Sequence, residues 1–306
     1  MNIKAIDTHA HFSNEHREPN TVTGQKLIDD IGVLRKSVGC SSTLEKSSLQ
    51  AEDLLAEMEA NNIESAWIHQ LSFEKILGYE VLSNQEIAAV LKKYPGKFRG
   101  FAGIDPHSGE KGVSAVRYWI EEHGFSGIKF NPNDYGGYFL NDTVLMYPLL
   151  EECCRRGVPV SFHTGLTPGS LFRMKHNNPI AVDDIAVDFP ELTIILEHMG
   201  HPWETAAYDM MGRHPNLYIT VTAIANIFIH NNPRLFLAEL LKMLGMFGSK
   251  RILWGSDWTA TPNIREVLSF LRSKRVSPVL KIAGFGDYTT ADRYNILYNN
   301  AKMLFQ

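Results

Sequence analysis

The sequence predicts an α/β fold: a (β/α)₈ TIM barrel, distorted, with an insertion after strand 1. Three observations predict it. Eight short apolar or β-branched runs alternate with helix-like stretches. A polar residue able to do chemistry closes most of those runs. The closing residues also recur at about one βα unit. Lys129 to His163 is 34 positions (163 − 129), His163 to His198 is 35 (198 − 163), and His198 to Asp257 is 59 (257 − 198), about two units. In a barrel the ends of parallel strands converge on one rim, where active sites form. In an open sheet, strands one, four, five, six and eight would not all meet. A chain of 306 residues suits one such barrel, so residues 1–306 read as a single domain.

The elements follow in order. Lys4–His9 is the first strand. Residues 13–48 are polar and rich in Thr, Ser and Asn, with Leu27, Ile28, Ile31 and Leu34 spaced for a short amphipathic helix. An insertion there would sit on the rim as a lid, an oligomer contact or an ordinary surface excursion. Leu49–Asn61 carries Leu54, Leu55 and Met58 at helical spacing and leads to the strand Ser65–Gln70. Gln85–Lys93 stops at Tyr94-Pro95-Gly96 before the strand Phe98–Ile104. Helix Val113–Glu122 precedes strand Gly127–Phe130, Tyr147–Arg156 precedes Pro159–His163, and Ala181–Asp188 precedes Thr193–His198. Trp203–His214 leads to Leu217–Val221, and Pro233–Leu244 leads to Arg251–Trp254. A last helix spans about Ala291–Phe305, behind the capping-box pattern Thr289-Thr290-Ala291-Asp292.

Composition narrows the function classes. The net charge of −4 predicts no attraction to nucleic acid or to an anionic membrane surface. No apolar run approaches the ~20 residues that span a bilayer, and the N-terminus lacks a signal-peptide layout. The three cysteines, Cys40, Cys153 and Cys154, have no metal-type spacing and read as reduced thiols in a cytoplasm. Cys153 and Cys154 sit in an apolar helical stretch and read as packing residues. The expected partner is a small-molecule substrate; homo-oligomerisation stays open.

The chemistry starts at Asp7-Thr8-His9-Ala10-His11. On a strand, side chains two apart leave the same face, so His9 and His11 aim two imidazoles at one point. Imidazole is a common ligand of divalent transition metals. His163 on strand five and Asp257 after strand eight would complete the set. Three or four protein ligands leave a position open, as in a catalytic site, and such an ion brings the pKa of its water toward neutrality. Zinc comes first, with manganese, iron or cobalt as the other choices, and one ion is favoured over two. His198 would act on the water or on a substrate carbonyl, or join a second ion if the centre is binuclear. Asp257 would be both ligand and proton shuttle. Lys129, ending a buried strand, needs a counter-ion; it becomes a metal ligand only if carboxylated. Arg173, His201 and Trp258 are candidate substrate contacts, with Trp203 as a pocket wall. His69, His107, His123, His176, His214 and His230 read as surface or packing residues.

The pattern resembles the amidohydrolase superfamily, in the branch called amidohydrolase family 2, over nearly the whole chain. The carrying residues are Asp7-Thr8-His9-Ala10-His11-Phe12, Tyr94-Pro95-Gly96-Lys97-Phe98-Arg99-Gly100-Phe101, Gly127-Ile128-Lys129, Phe162-His163-Thr164-Gly165, Leu196-Glu197-His198-Met199-Gly200, Ile252-Leu253-Trp254-Gly255-Ser256-Asp257-Trp258 and Asn300-Ala301-Lys302-Met303-Leu304-Phe305. The resemblance implies a distorted barrel with metal ligands from strands one, five and eight and a catalytic histidine, His198, from strand six. It also implies one of two chemistries: hydrolysis of a small amide, lactone or ester, or non-oxidative decarboxylation of an aromatic or dienoic acid. Gly127, at the start of the strand-four motif, is similar to binuclear hydrolases and tilts the expectation to hydrolysis. Several hydroxybenzoate decarboxylases have an acidic residue where this chain has His9, and the sequence departs from them there.

Overall fold

The computed structural model describes residues 3–12, 22–39, 50–167 and 169–306. Cys40 and much of the expected insertion lie outside the described residues. Eight strands form one sheet in the order β1 to β8, every pairing parallel. They are β1 Ala5–Ala10, β2 Ile63–His69, β3 Phe98–Gly103, β4 Gly127–Phe130, β5 Val160–Phe162, β6 Ile194–Leu196, β7 Leu217–Thr220 and β8 Ile252–Leu253. The β8 end turns back onto β1: the Thr8 N–H donates to Trp254 O at 3.0 Å and the Asp257 N–H to His9 O at 2.9 Å. The sheet is thereby a nearly closed barrel with helices between its strands.

Period-two alternation splits each strand between two environments. Ile6, Trp67, Phe101, Ile195 and Leu253 form an inner cluster, closed by Ala301 with Tyr298, Leu304 and Phe305 of the C-terminal segment. The alternate residues join the larger core between strands and helices. Two positions further along the strands the inner face turns polar: His69 follows Trp67, and Glu197 follows Ile195. The apolar inner layer is a floor, and the site stands on it.

Helices Tyr147–Arg156 and Ala181–Asp188 have the expected bounds. The last helix begins with the expected box: Thr289 Oγ1 accepts from the Asp292 N–H at 3.2 Å, and Asp292 Oδ2 accepts from the Thr289 N–H at 2.9 Å. Among the described residues four α-helices were not expected: the short Glu74–Leu77 and Pro278–Ile282, and the longer Ile224–Asn231 and Ile264–Ser273. Helix Ile264–Ser273 buries Ile264, Val267, Leu268 and Leu271 at helical spacing, a signal the sequence does carry. Within the insertion, α1 spans Val22–Ser37 and is longer than its four apolar positions suggest. It crosses the rim. Leu27 packs with Phe73, Leu171 and Phe172, Asp30 accepts from Ser170 N–H at 2.9 Å, and Arg35 donates to Thr259 O after β8. No helix among the described residues is long and apolar enough to cross a membrane.

Candidate metal centre

The centre is built where β1 meets β8. Asp7 pairs with Ala66 and Ala10 with Ile68, so β1 uses one more residue than β2 over this stretch. This bulge re-aims the strand end, as bulges beside active sites do. His9 and His11 Nε2 atoms come within 3.0 Å of each other. The His11 Nδ1 lies 2.8 Å from His69 O. A carbonyl only accepts, so Nδ1 carries the proton and the Nε2 lone pair is free. Asp7, fully buried, ties the strand to the β8 loop: its Oδ1 accepts the N–H groups of Ser256 (2.8 Å) and His9 (3.2 Å). Position 255 must be glycine for this packing, because a Cβ there would stand 2.7 Å from His9 Cβ. Asp257 follows with φ +54°, and its Oδ1 lies 3.5 Å from His9 Nε2 and 3.8 Å from His11 Nε2.

The other half comes from β4, β5 and β6. Glu197 has no exposure, and Lys129 is 2% exposed. Their side chains form a short ion pair inside the barrel. Glu197 also accepts from Ser161 Oγ at 2.6 Å and lies 3.3 Å from His9 Nδ1. His163 Nδ1 and His198 Nε2 are 3.6 and 3.7 Å from its other oxygen and 3.2 Å from each other. Strict alternation would send His198 outward, since Glu197 already takes the inward place. Positive φ values at His198 (+55°) and Met199 (+56°) turn the chain so that both residues reach the centre.

Burial and charge compete here. Burial opposes ionisation of Glu197, but the His9 and Lys129 charges outweigh it and hold the carboxyl well below its usual range. Burial likewise opposes protonation of His9, and Glu197 and Asp257 reverse the balance, raising it to about 9. Burial pushes His11 and His198 down to about 3 and lowers His163, so these three imidazoles are neutral at pH 7, the form that ligates metals. A proton on His9 answers the two carboxylates; a divalent ion at the same point would answer them equally well.

The donor set fits such an ion. His9, His11 and Asp257 offer three ligand atoms within 4.8 Å of one another, as do His9, Glu197 and His198. Two further buried imidazole nitrogens, His163 Nε2 and His198 Nδ1, have no hydrogen-bond partner among the described residues. Buried polar atoms rarely stay unpaired, so these point to a missing partner.

The structure therefore brings His9, His11, Lys129, His163, His198 and Asp257 to one end of the barrel. His163 lies beside His198 and Glu197, outside the His9–His11–Asp257 group. The substrate candidates are scattered. Trp258 is 4% exposed and packs in the main core. His201 pairs with Glu204. Arg173 is exposed, beside a cleft between rim loops. Sequence reading missed Glu197 and gave His69 a packing role. His69 does pack, stacked between His9 (centroids 4.4 Å) and Phe101 (4.6 Å), but it also lies 3.6 Å from Glu197. The available signal for Glu197 was its position two residues after Ile195, on the inner face of an apolar strand.

A parallel barrel with imidazoles and carboxylates converging at its C-terminal rim defines a metal-dependent barrel enzyme. The chain belongs to the amidohydrolase family, whose model matches residues 6–306. It is 25% identical over 201 residues to a 2-keto-4-carboxy-3-hexenedioate hydratase from Sphingobium, a match covering 57% of this chain and 56% of that one. The chain spans about half the length, or less, of the curated relatives it matches. Among solved structures, an uncharacterised TIM-barrel protein from Bordetella bronchiseptica superposes with TM-score 0.75, at 23% identity, over 99% of this chain and 98% of that one. A 5-carboxyvanillate decarboxylase from Novosphingobium aromaticivorans, complexed with manganese and a nitrobenzoic acid, gives TM-score 0.69 at 17% identity over 99% and 96%.

Proposed function

We propose that this protein is a metal-dependent carboxy-lyase that removes CO₂ from an aromatic or dienoic carboxylic acid. The observation that carries the reading is the buried Lys129–Glu197 pair. The tilt to hydrolysis rested on the likeness of Gly127 to binuclear hydrolases, and a second ion here would need a carboxylated Lys129. Paired with Glu197, Lys129 keeps its ammonium; a carbamate would set an anion against a buried carboxylate. One ion then remains. The manganese-bound decarboxylase among the structural neighbours supports the same choice, and the unsaturated tricarboxylic acid named for the hydratase relative supports an unsaturated acid as the substrate.

His9, His11 and Asp257 would hold the ion, with His163 and His198 beside it; zinc and manganese both suit these donors. The bound ion would supply Lewis acidity toward the oxygens of an anionic substrate. Lys129, paired with Glu197 and sealed from solvent, anchors the carboxylate that faces His9, His163 and His198. His198 holds the substrate carboxylate in place. Asp257, ionised at rest, takes a proton from water and passes it to the carbon that bears the carboxylate, the substrate's π electrons forming the new C–H bond. The carbon–carboxylate bond then breaks, its electron pair restores the π system, and CO₂ leaves.

The test is a panel on metal-loaded protein: hydroxybenzoates and unsaturated diacids with CO₂ detection, against lactones and amides. CO₂ release from at least one acid is expected. Turnover of a lactone or amide with no CO₂ from any acid would return the reading to hydrolysis.

A further inference from the structure

The loops after β2, β4 and β5 enclose a cleft of about 240 Å³ on the rim that carries the metal centre. Phe73, Tyr135 and Phe172 supply its aromatic walls, and Lys75, Arg173 and His176 its polar ones. Among the described residues no aspartate or glutamate lines it, in a chain whose net charge is −4. Among the described residues neither Lys75 nor Arg173 pairs with a carboxylate. Lys75 spends one N–H on Tyr135 O, at 2.6 Å, which leaves two donors.

The cleft is shaped around a glycine pair. Gly136 and Gly137 have φ +95° and +92°. A Cβ at 136 would stand 2.8 Å from Lys75 Nζ, and one at 137 would stand 3.4 Å from His176 Nε2. The backbone thus leaves space beneath a cation and an imidazole, and His176 Nδ1 is buried with no hydrogen-bond partner among the described residues. The walls are tied to the strands of the centre. The β4 chain runs from Lys129 through Asn131 to Asn133, whose Nδ2 donates to Asn177 Oδ1 at 2.9 Å. Asn177 O accepts the N–H of Gly165, two residues beyond His163, at 2.8 Å.

We propose that this cleft binds a second carboxylate of the substrate, so that the enzyme prefers dicarboxylic acids. A guanidinium and an ammonium without acidic partners among the described residues match a carboxylate, and the aromatic walls match the flat unsaturated body between two acid groups. The proposal rests on the carboxy-lyase reading, because it places the reacting carboxylate at the metal centre and the second one here.

The test is calorimetric binding to manganese-loaded protein, using two ligand pairs that differ by one carboxylate: 4-hydroxyisophthalate against 4-hydroxybenzoate, and muconate against sorbate. In at least one pair the diacid should bind about tenfold tighter, or about 1.4 kcal/mol. Arg173→Met and Lys75→Met should each remove most of that advantage and leave the monoacid within about twofold. Equal affinities within both pairs, absence of binding, or an advantage untouched by both substitutions would overturn the proposal. CO₂ assays separate the two readings. A diacid advantage that the variants abolish, with no CO₂ from any acid, keeps the subsite and removes the lyase. CO₂ release with no diacid advantage does the reverse.

Discussion

Glu197 and Lys129 lie 68 positions apart, one just after β6 and the other on β4, and form a charged pair sealed from solvent. The pair sits directly behind the imidazoles. His9, His163, His198 and His69 all come within 3.8 Å of the Glu197 carboxylate. Glu197 is therefore the electrostatic hinge between the lysine and the candidate metal ligands.

Removing one member of that pair should cost heavily. Glu197→Gln leaves a buried ammonium without a counter-charge, a change worth about 3–5 kcal/mol. Urea denaturation should show the loss, and Lys129→Met in the same chain should recover much of it. A single variant within about 1 kcal/mol of the parent would show that the ammonium finds another partner.

Asp257→Asn should fold normally, judged by circular dichroism, and lose activity by a factor of about 10²–10⁴, the usual worth of a positioned proton donor. Activity close to the parent's would remove Asp257 from the reaction.

His9→Ala with His11→Ala should bring bound metal well below one equivalent by elemental analysis. Content unchanged from the parent would place the ion elsewhere.

Gly255→Ala tests the packing behind the ligands. Its methyl would meet His9 Cβ at 2.7 Å and Thr222 Oγ1 at 2.8 Å, so His9 must move although every donor is intact. Metal affinity, measured by competition with a chelator, should fall about 10- to 100-fold, as for other changes behind a ligand. Unchanged affinity would mean that the strand gives way without cost.

Asp134 predicts a pH effect away from the centre. Burial pushes its carboxyl up to about 7, against the Lys129 charge and the N–H groups of Ser72 and Phe73. The folded state therefore holds this proton more tightly than the unfolded one. The contribution is fully present below the unfolded pKa near 3.8 and is lost as pH rises through about 7. Between pH 5 and pH 8 the parent should lose about 2 kcal/mol that Asp134→Asn does not lose. Thermal melts across that range compare the two, and parallel curves would show that the carboxylate is solvated.

The β-α alternation made the barrel legible, and strand parity made His9, His11 and Lys129 legible, because both signals are local. The helix Ile264–Ser273 was equally local and was overlooked. His198 stands at the centre for a reason that strand geometry does not supply: its reach depends on positive φ at two consecutive residues. The β1 bulge is similar, since it is defined only by the register against β2.

By itself the sequence determined the eight strands, their order and the strand ends that carry chemistry, since alternation and spacing act within a few residues. Tertiary structure decided which charges meet. The choice of Glu197 as partner for Lys129, the separation of His163 from His9 and His11, and the gathering of Lys75, Arg173 and His176 around one cleft all depend on barrel closure. Coulombic pairing falls off with distance through space, and separation along the chain does not reveal that distance.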